Sequence, residues 1–328
     1  MKHFITLIYL ASFGTLLAEP STSWQPSFND KPVPEAFQKA ILAALPTQTI
    51  AQAKEKRKIL IYSATNGYRH GSIPYGKFAL ENLGNQTQAF ETIISDDSTN
   101  FEFPKITEFD AIVLLNVSGD FFMPSTKKNK GKGTSPASEL SPETLALLKQ
   151  RHHRLITNLQ TYVEQGGGLV GIHAATDACK NHDHYPSLIG ATFDGHPWTA
   201  RHNVNIVVED PQHAINQPVF EGITDFMIKE EIYQFKNEPY SRDQLRILLH
   251  LNPEKSDAVK AGSIKRTDND FAISWVQSVG KVRVFYTNFG HNNDIFSNPM
   301  ILKHYLAGIQ FATGDLVADT TPSNLIKK

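Results

Sequence analysis

The sequence predicts an α/β protein, a parallel sheet flanked by helices and folded as one domain. Three observations carry the prediction. Apolar runs of strand length recur along the chain, at Ile59–Tyr62, Ala111–Val117 and Leu169–His173. Helical stretches separate them, and strand-helix-strand alternation is the rhythm of a parallel sheet with crossover helices. The 328 residues would suit one large domain or two small ones, and neither a repeat nor a clear break divides them, which favours one.

The elements follow in order. MKHFITLIYLASFGTLLAEP has a basic start at Lys2, an apolar stretch from Phe4 to Leu17 and small residues ending at Ala18. That is the layout of a secretory signal, residues 1–18, and predicts a protein exported to the periplasm or the exterior. The apolar run is shorter than the ~20 residues of a membrane span. Residues 19–54 form a polar, proline-containing lead-in with one helical stretch, PEAFQKAILAAL, expected to pack loosely. The main domain is expected over 55–315. Its first strand, Ile59–Tyr62, leads through NGYRHGS to the helix IPYGKFALENLG, closed by Gly84. FDAIVLLNVSGD holds the second strand.

Residues 123–140, rich in Lys, Gly, Ser and Pro, are an inserted surface loop. From Ser141, a good cap followed by Pro142, a helix runs to Gln165 and ends at Gly166–Gly168. Its apolar face is Leu145, Leu148, Leu155, Ile156, Leu159, Tyr162 and Val163. More strands are expected at 204–209, 245–250, 271–276 and 282–288. A last helix, capped by Asn298, covers Pro299–Thr313. The polar tail, 316–328, is expected to fray.

Composition excludes some roles. A net charge of −1 is unlike the basic balance of a nucleic-acid binder. The single cysteine, Cys179, forms no internal disulfide. GGGLVG lacks the spacing and the following acidic residue of a dinucleotide site, and no phosphate loop is present, so no nucleotide cofactor is expected.

In open α/β sheets, ligands bind outside the carboxyl ends of the strands. The polar residues there are Asn66, Tyr68, Arg69 and His70 after the first strand, His173 and Asp177 after the third, and Asn288 and His291 after the last. Of thirteen histidines, six fall between 173 and 213, including His196 in GHPW. Imidazole is both a metal ligand and an acid-base group near neutral pH. A histidine at a strand end also often does no more than bond a backbone carbonyl. In IKEEIYQF, Glu230 and Glu231 precede alternating Ile232, Tyr233, Gln234 and Phe235, so one glutamate is expected to face inward and need a partner. GIHAA is not GxSxG, because His173 stands where a nucleophile would.

GGGLVGIHAATD, SLIGATFDGHP, KEEIYQF and GKVRVFYTNFGHNNDIFSNPMILKHYLAGIQFATGD together resemble the trehalose-utilisation (ThuA-like) family, over roughly residues 57–315. The resemblance implies a flavodoxin-like fold similar to class I glutamine amidotransferases. His173 would then replace the catalytic cysteine, which excludes standard glutaminase chemistry. Matched block to block, His173, His196, Glu231, Tyr286 and His291 fall on the family's recurrent polar positions, and Asn66, Arg69 and His70 on its first loop. Phe271-Ala272 and CKNHDHYPS depart from the family's usual His-Pro pair and aromatic-rich segment.

The implied activity is lyase, hydrolase or isomerase chemistry on a small sugar, a 3-keto-disaccharide or a related derivative. His173, Glu231, Asp177 and Tyr286 are the expected catalytic groups. Asn66, Arg69, His70, Trp198 and Asn288 are the expected substrate contacts. A divalent ion (zinc, manganese or nickel) on His173, His196 and His291 would polarise the ketone, and Glu231 or a free histidine would take the proton. The alternative is a carbohydrate-binding or accessory module without turnover. The sugar, the metal and the oligomeric state are left open by the sequence.

Overall fold

The strand β1, Lys58–Tyr62, shows how the sheet is built. Ile59 and Ile61 point into one apolar layer and Leu60 and Tyr62 into the other, the period-two alternation of a strand covered on both faces. The computed structural model describes residues 24–125, 137–278 and 281–326. The expected signal segment 1–18, most of the expected insertion 123–140 and the last two residues of the tail lie outside them.

Among the described residues, nine strands form one sheet. They are β1, β2 (Glu91–Ile94), β3 (Ala111–Leu115), β4 (Gly168–Ile172), β5 (Asn203–Val208), β6 (Asp225–Lys229), β7 (Arg246–Asn252), β8 (Ala272–Gln277) and β9 (Arg283–Thr287), in the order β2-β1-β3-β4-β9-β8-β7-β5-β6. The first five of that order pair in parallel, and 2-1-3-4-5 is the flavodoxin-like sequence of strands. The other four extend the sheet antiparallel. The strand-helix rhythm does not reveal this extension, because no crossover helix separates β5 to β9.

Among the described residues, five helices flank the sheet: α1 (Glu35–Ala44), α2 (Ile73–Thr87), α3 (Pro142–Glu164), α4 (Tyr185–Ile189) and α5 (Pro299–Thr313). Residues of α1, α2 and α5 join the core on one face, and those of α3 and α4 the core on the other. The expected caps are in place: Ser141 Oγ accepts from the Thr144 amide at 3.2 Å and Asn298 Oδ1 from Met300 at 3.0 Å. Gly84 does not stop α2. A Cβ there would sit 2.6 Å from the Phe90 ring, so glycine admits Phe90, and the helix ends at Gln88 in the left-handed region.

The lead-in and the tail are built into the fold, against the expectation of loose ends. Ile41 of α1 is fully buried, and Phe37 packs edge-on against Tyr75 at 5.1 Å. The Gln310 carboxamide accepts from Ile50 at 2.8 Å and donates to the Ala51 carbonyl at 2.6 Å. Arg57 forks onto Asp315, whose carboxylate it holds below the usual range although burial alone would raise it. In the tail, the Ser323 amide donates to Leu245 O and its hydroxyl accepts from Ile247 N, so the segment runs along the start of β7.

Candidate active site

At the carboxyl end of β4 the chain leaves the sheet through His173, whose φ is +49°. A left-handed residue at a strand exit makes the sharp turn that α/β enzymes use to expose a reactive side chain, at ~1–2 kcal/mol for a residue with a Cβ. The short 3-10 turn His173–Asp177 follows. Gly290 faces it; a Cβ there would lie 2.8 Å from Ile172 Cγ2 and 3.1 Å from His173 Cβ. The His173 carbonyl accepts a hydrogen bond from the Tyr286 hydroxyl at 2.8 Å, which fixes the turn from below.

The His173 ring has a defined tautomer. Nδ1 lies 2.7 Å from the Asn288 carbonyl, which can only accept, so Nδ1 carries the proton in the neutral ring and Nε2 presents a lone pair. Nε2 is buried, makes no hydrogen bond and lies 3.7 Å from Glu231 Oε1. Burial holds the imidazole pKa below its ordinary value in spite of the Glu231 charge.

Glu231 is the centre of the cluster. Its Oε2 lies 3.5 Å from His196 Nδ1 and 3.7 Å from His291 Nε2. Burial would raise its pKa, but His173, His291 and His196 outweigh this and keep the carboxyl below the usual range. His70 completes the group: its ring centroid is 4.9 Å from that of His173 and 5.2 Å from that of His291, near perpendicular to both. One ligand atom each from His70, Glu231 and His291 falls within 4.8 Å of the others. Two imidazoles and a carboxylate are the donors of a catalytic zinc site with a position left open. The lone pair on His173 Nε2 facing the Glu231 carboxylate is two acceptors without a donor, an arrangement that a cation or a shared proton relieves.

Glu230 is the inward-facing glutamate and has a different task. It is fully buried and accepts from the amides of Gly290 at 3.2 Å, His291 at 2.5 Å and Asn292 at 3.1 Å. Burial pushes its carboxyl up to about 8 against these bonds. It fixes the loop that carries His291, which Ser72 Oγ and Asn116 Nδ2 also hold through the Gly290 carbonyl.

Several residues expected to act on substrate are committed elsewhere. Tyr286 is fully buried with its hydroxyl on the His173 backbone, so it positions the turn. Asp177 pairs with Lys180 at 2.6 Å, outside the histidine cluster. Trp198 is buried, its indole N–H on the Asp257 carbonyl and its ring edge-on to Phe271. Asn66 donates to the Pro124 carbonyl at 2.6 Å. Arg69 forks onto Asp30 and lies over the Phe28 ring, 3.5 Å from its centroid. Asn288 is fully buried, donating from its side chain to Glu231 O at 2.7 Å and accepting from Tyr233 N at 3.1 Å. His196 sits at the rim with its side chain 47% exposed.

Two features escaped the sequence reading. Tyr233 lies against His173, centroids 4.4 Å apart, and the alternation of IYQF does hint at an inward ring. A cavity of about 530 Å³ next to His70 is lined by Asp30, Lys31, Arg69, Tyr75 and Asn293 among others, within the ~300–1,000 Å³ of small-molecule sites. Five of the eleven residues of that wall belong to the lead-in, for which no local signal existed.

The model of the family described as ThuA, trehalose utilisation, matches residues 146–312, just over half of the chain. The chain belongs to this family. Membership supports a carbohydrate-related function. A protein from Bacteroides uniformis ATCC 8492 described as ThuA-like aligns with 20% identity and a TM-score of 0.57, over 80% of this chain and 93% of that one. A second, from Parabacteroides merdae ATCC 43184, aligns with 16% identity and a TM-score of 0.50, over 81% and 93%. At these identities the shared property is the fold. A glutamine amidotransferase from Thermotoga maritima aligns with 8% identity and a TM-score of 0.40, over 79% and 98%. No match was found among curated proteins. No helix of the described residues is long and apolar enough to cross a membrane.

Proposed function

We propose that this ThuA-family chain is an exported, metal-assisted enzyme that cleaves a 3-keto-disaccharide or a closely related keto-glycoside. The observation that carries the reading is the meeting of four imidazoles at one ionised carboxylate, with the His173 Nε2 lone pair unpartnered beside it. A ketone at C3 of a sugar acidifies the hydrogen on C2. A divalent ion held by His70, Glu231 and His291 would polarise that ketone and stabilise the charge developing on its oxygen.

The chain's own residues supply the rest. His196, nearly half exposed and 3.5 Å from Glu231, takes the C2 proton. The electron pair forms the C1–C2 double bond, the C1–oxygen bond breaks, and the same proton passes from His196 to the departing oxygen. The products are an unsaturated keto sugar and a free alcohol. Glu231 stays ionised, Asn288 braces the segment that carries it, and the sugar occupies the cavity beside His70. Trp198 and Trp275 are both buried, so they offer no aromatic platform to a purely carbohydrate-binding module.

The test is turnover of a 3-keto-disaccharide by the purified protein, with and without chelator, beside Glu231→Gln. Expected are loss of activity with chelator, recovery with zinc, manganese or nickel, and, in the variant, weaker hold on the ion with at least a ~10–100-fold loss of activity. Binding without turnover under every metal, equal in the variant, would replace the enzyme reading with that of a binding module.

A further inference from the structure

A second group of ligand-type side chains lies at the other end of the His173–Asp177 turn. Asp120 follows β3, His152 projects from α3, and Cys179 follows the turn. One ligand atom from each falls within 4.8 Å of the other two. The backbone holds two of the three segments together: the Gly119 amide donates to Asp177 O at 3.2 Å and the Cys179 amide to Gly119 O at 3.1 Å. Cys179 has φ +44°. His152 Nε2 lies 3.7 Å from Asp120 Oδ1, while Nδ1 is buried without a hydrogen-bond partner. The Nε2 atom of His182 is buried and unpartnered too, and its ring is 6.5 Å from that of His152.

We propose that Cys179, His152 and Asp120 form a second, zinc-type metal site, separate from the histidine cluster at Glu231, with His182 placed to become the fourth ligand. Thiolate, imidazole and carboxylate in one place select zinc over magnesium or calcium, which take oxygen donors. Two imidazoles on one tetrahedral ion stand ~5 Å apart between ring centres, and the His152 and His182 rings are 6.5 Å apart. Asp120, with its side chain 55% exposed, leaves the ion a way in.

The protonation states suit this chemistry. Burial, countered in part by Asp120, pushes the His152 pKa down to about 4, so the ring is neutral and ready to ligate at pH 7. Burial pushes the Cys179 thiol well above its ordinary value, which makes it a poor nucleophile. A bound cation reverses that preference, and the thiol releases one proton as the ion enters.

Because Cys179 is the chain's one cysteine, cobalt reads the site without ambiguity. The full-length protein is titrated with Co²⁺, and thiolate-to-cobalt charge transfer is followed in the near ultraviolet. Expected is one saturable band, accompanied by visible absorption of tetrahedral intensity. It should be lost in Cys179→Ser and retained in Glu231→Gln, which damages the other site alone. Should Cys179→Ser fail to fold, His152→Gln carries the same test through at least a tenfold loss of cobalt affinity. Absence of the band in the folded native protein at saturating Co²⁺ would overturn the site. A band unchanged in His152→Gln would overturn the ligand assignment.

Discussion

Asn288→Ala tests how the site is held. The side chain spans two backbone groups of the segment carrying Glu231: it accepts from Tyr233 N at 3.1 Å and donates to Glu231 O at 2.7 Å, with no part of Asn288 exposed. Truncation removes both partners and leaves a buried amide and a buried carbonyl unpaired. Each such group costs ~1–3 kcal/mol, so the sum is ~2–6 kcal/mol, with the lower half expected where a water enters the space. A loss near 3 kcal/mol is a large share of the ~5–15 kcal/mol of a typical domain, yet leaves the chain folded. His173 keeps its tautomer, since its Nδ1 bonds the backbone carbonyl of residue 288. Urea unfolding followed by circular dichroism and tryptophan fluorescence gives the difference. A loss under about 1 kcal/mol would mean that the two backbone groups are readily satisfied without Asn288, and would refute its role as the brace of the Glu231 segment.

Three further outcomes are expected. Glu230, raised from an ordinary 4.5 to about 8, binds more protons folded than unfolded between those values. Its contribution is complete below pH 4.5 and is lost as pH rises through 8, by up to roughly 4–5 kcal/mol. Glu230→Gln should remove that fall from urea curves measured at pH 5 and pH 8, and an unchanged pH slope would contradict the assignment. Gly290→Ala, at φ +148° with a Cβ forced against Ile172 and His173, should cost ~1–3 kcal/mol and lower turnover through the displaced imidazole, as chemical denaturation and kinetics would report. Asp30→Ala strands the Arg69 guanidinium, which is only 3% exposed, and should lower stability by ~2–4 kcal/mol; a thermal midpoint equal to the parent's would count against a structural role for the lead-in.

The parallel half of the sheet was legible because its strands are continuous apolar runs, buried on both faces. β2 and β6 were not. ETII and DFMIK are edge strands, exposed or half-exposed along their length, so their residues carry no such signal. Strand exits led to His70, His173, His291 and Asn288, since topology brings those ends together whatever the side chains do. Local sequence fails where a side chain's fate depends on a distant partner. Arg69 looks free until Asp30 and Phe28 fold over it, and Tyr286 looks reactive until its hydroxyl meets the His173 carbonyl. Glu230 and Glu231 are adjacent and identical in kind. Only the 290–292 amides on one side and the histidines on the other tell them apart.

The join between residues 50–57 and residues 310–315 has a consequence for how the chain is made. Gln310 and Asp315 bond partners some 260 positions earlier, so one side of the fold is sealed only by residues made long after the segment they close on. β9, the central partner of β4, is also a late arrival. A nascent chain can pair β1 with β3 and β4, yet it has neither α5 nor this seam until residues 299–315 have followed. Contacts so distant in sequence slow folding, and they leave the β1, β3 and β4 half of the sheet waiting on one face for the cover that α5 brings.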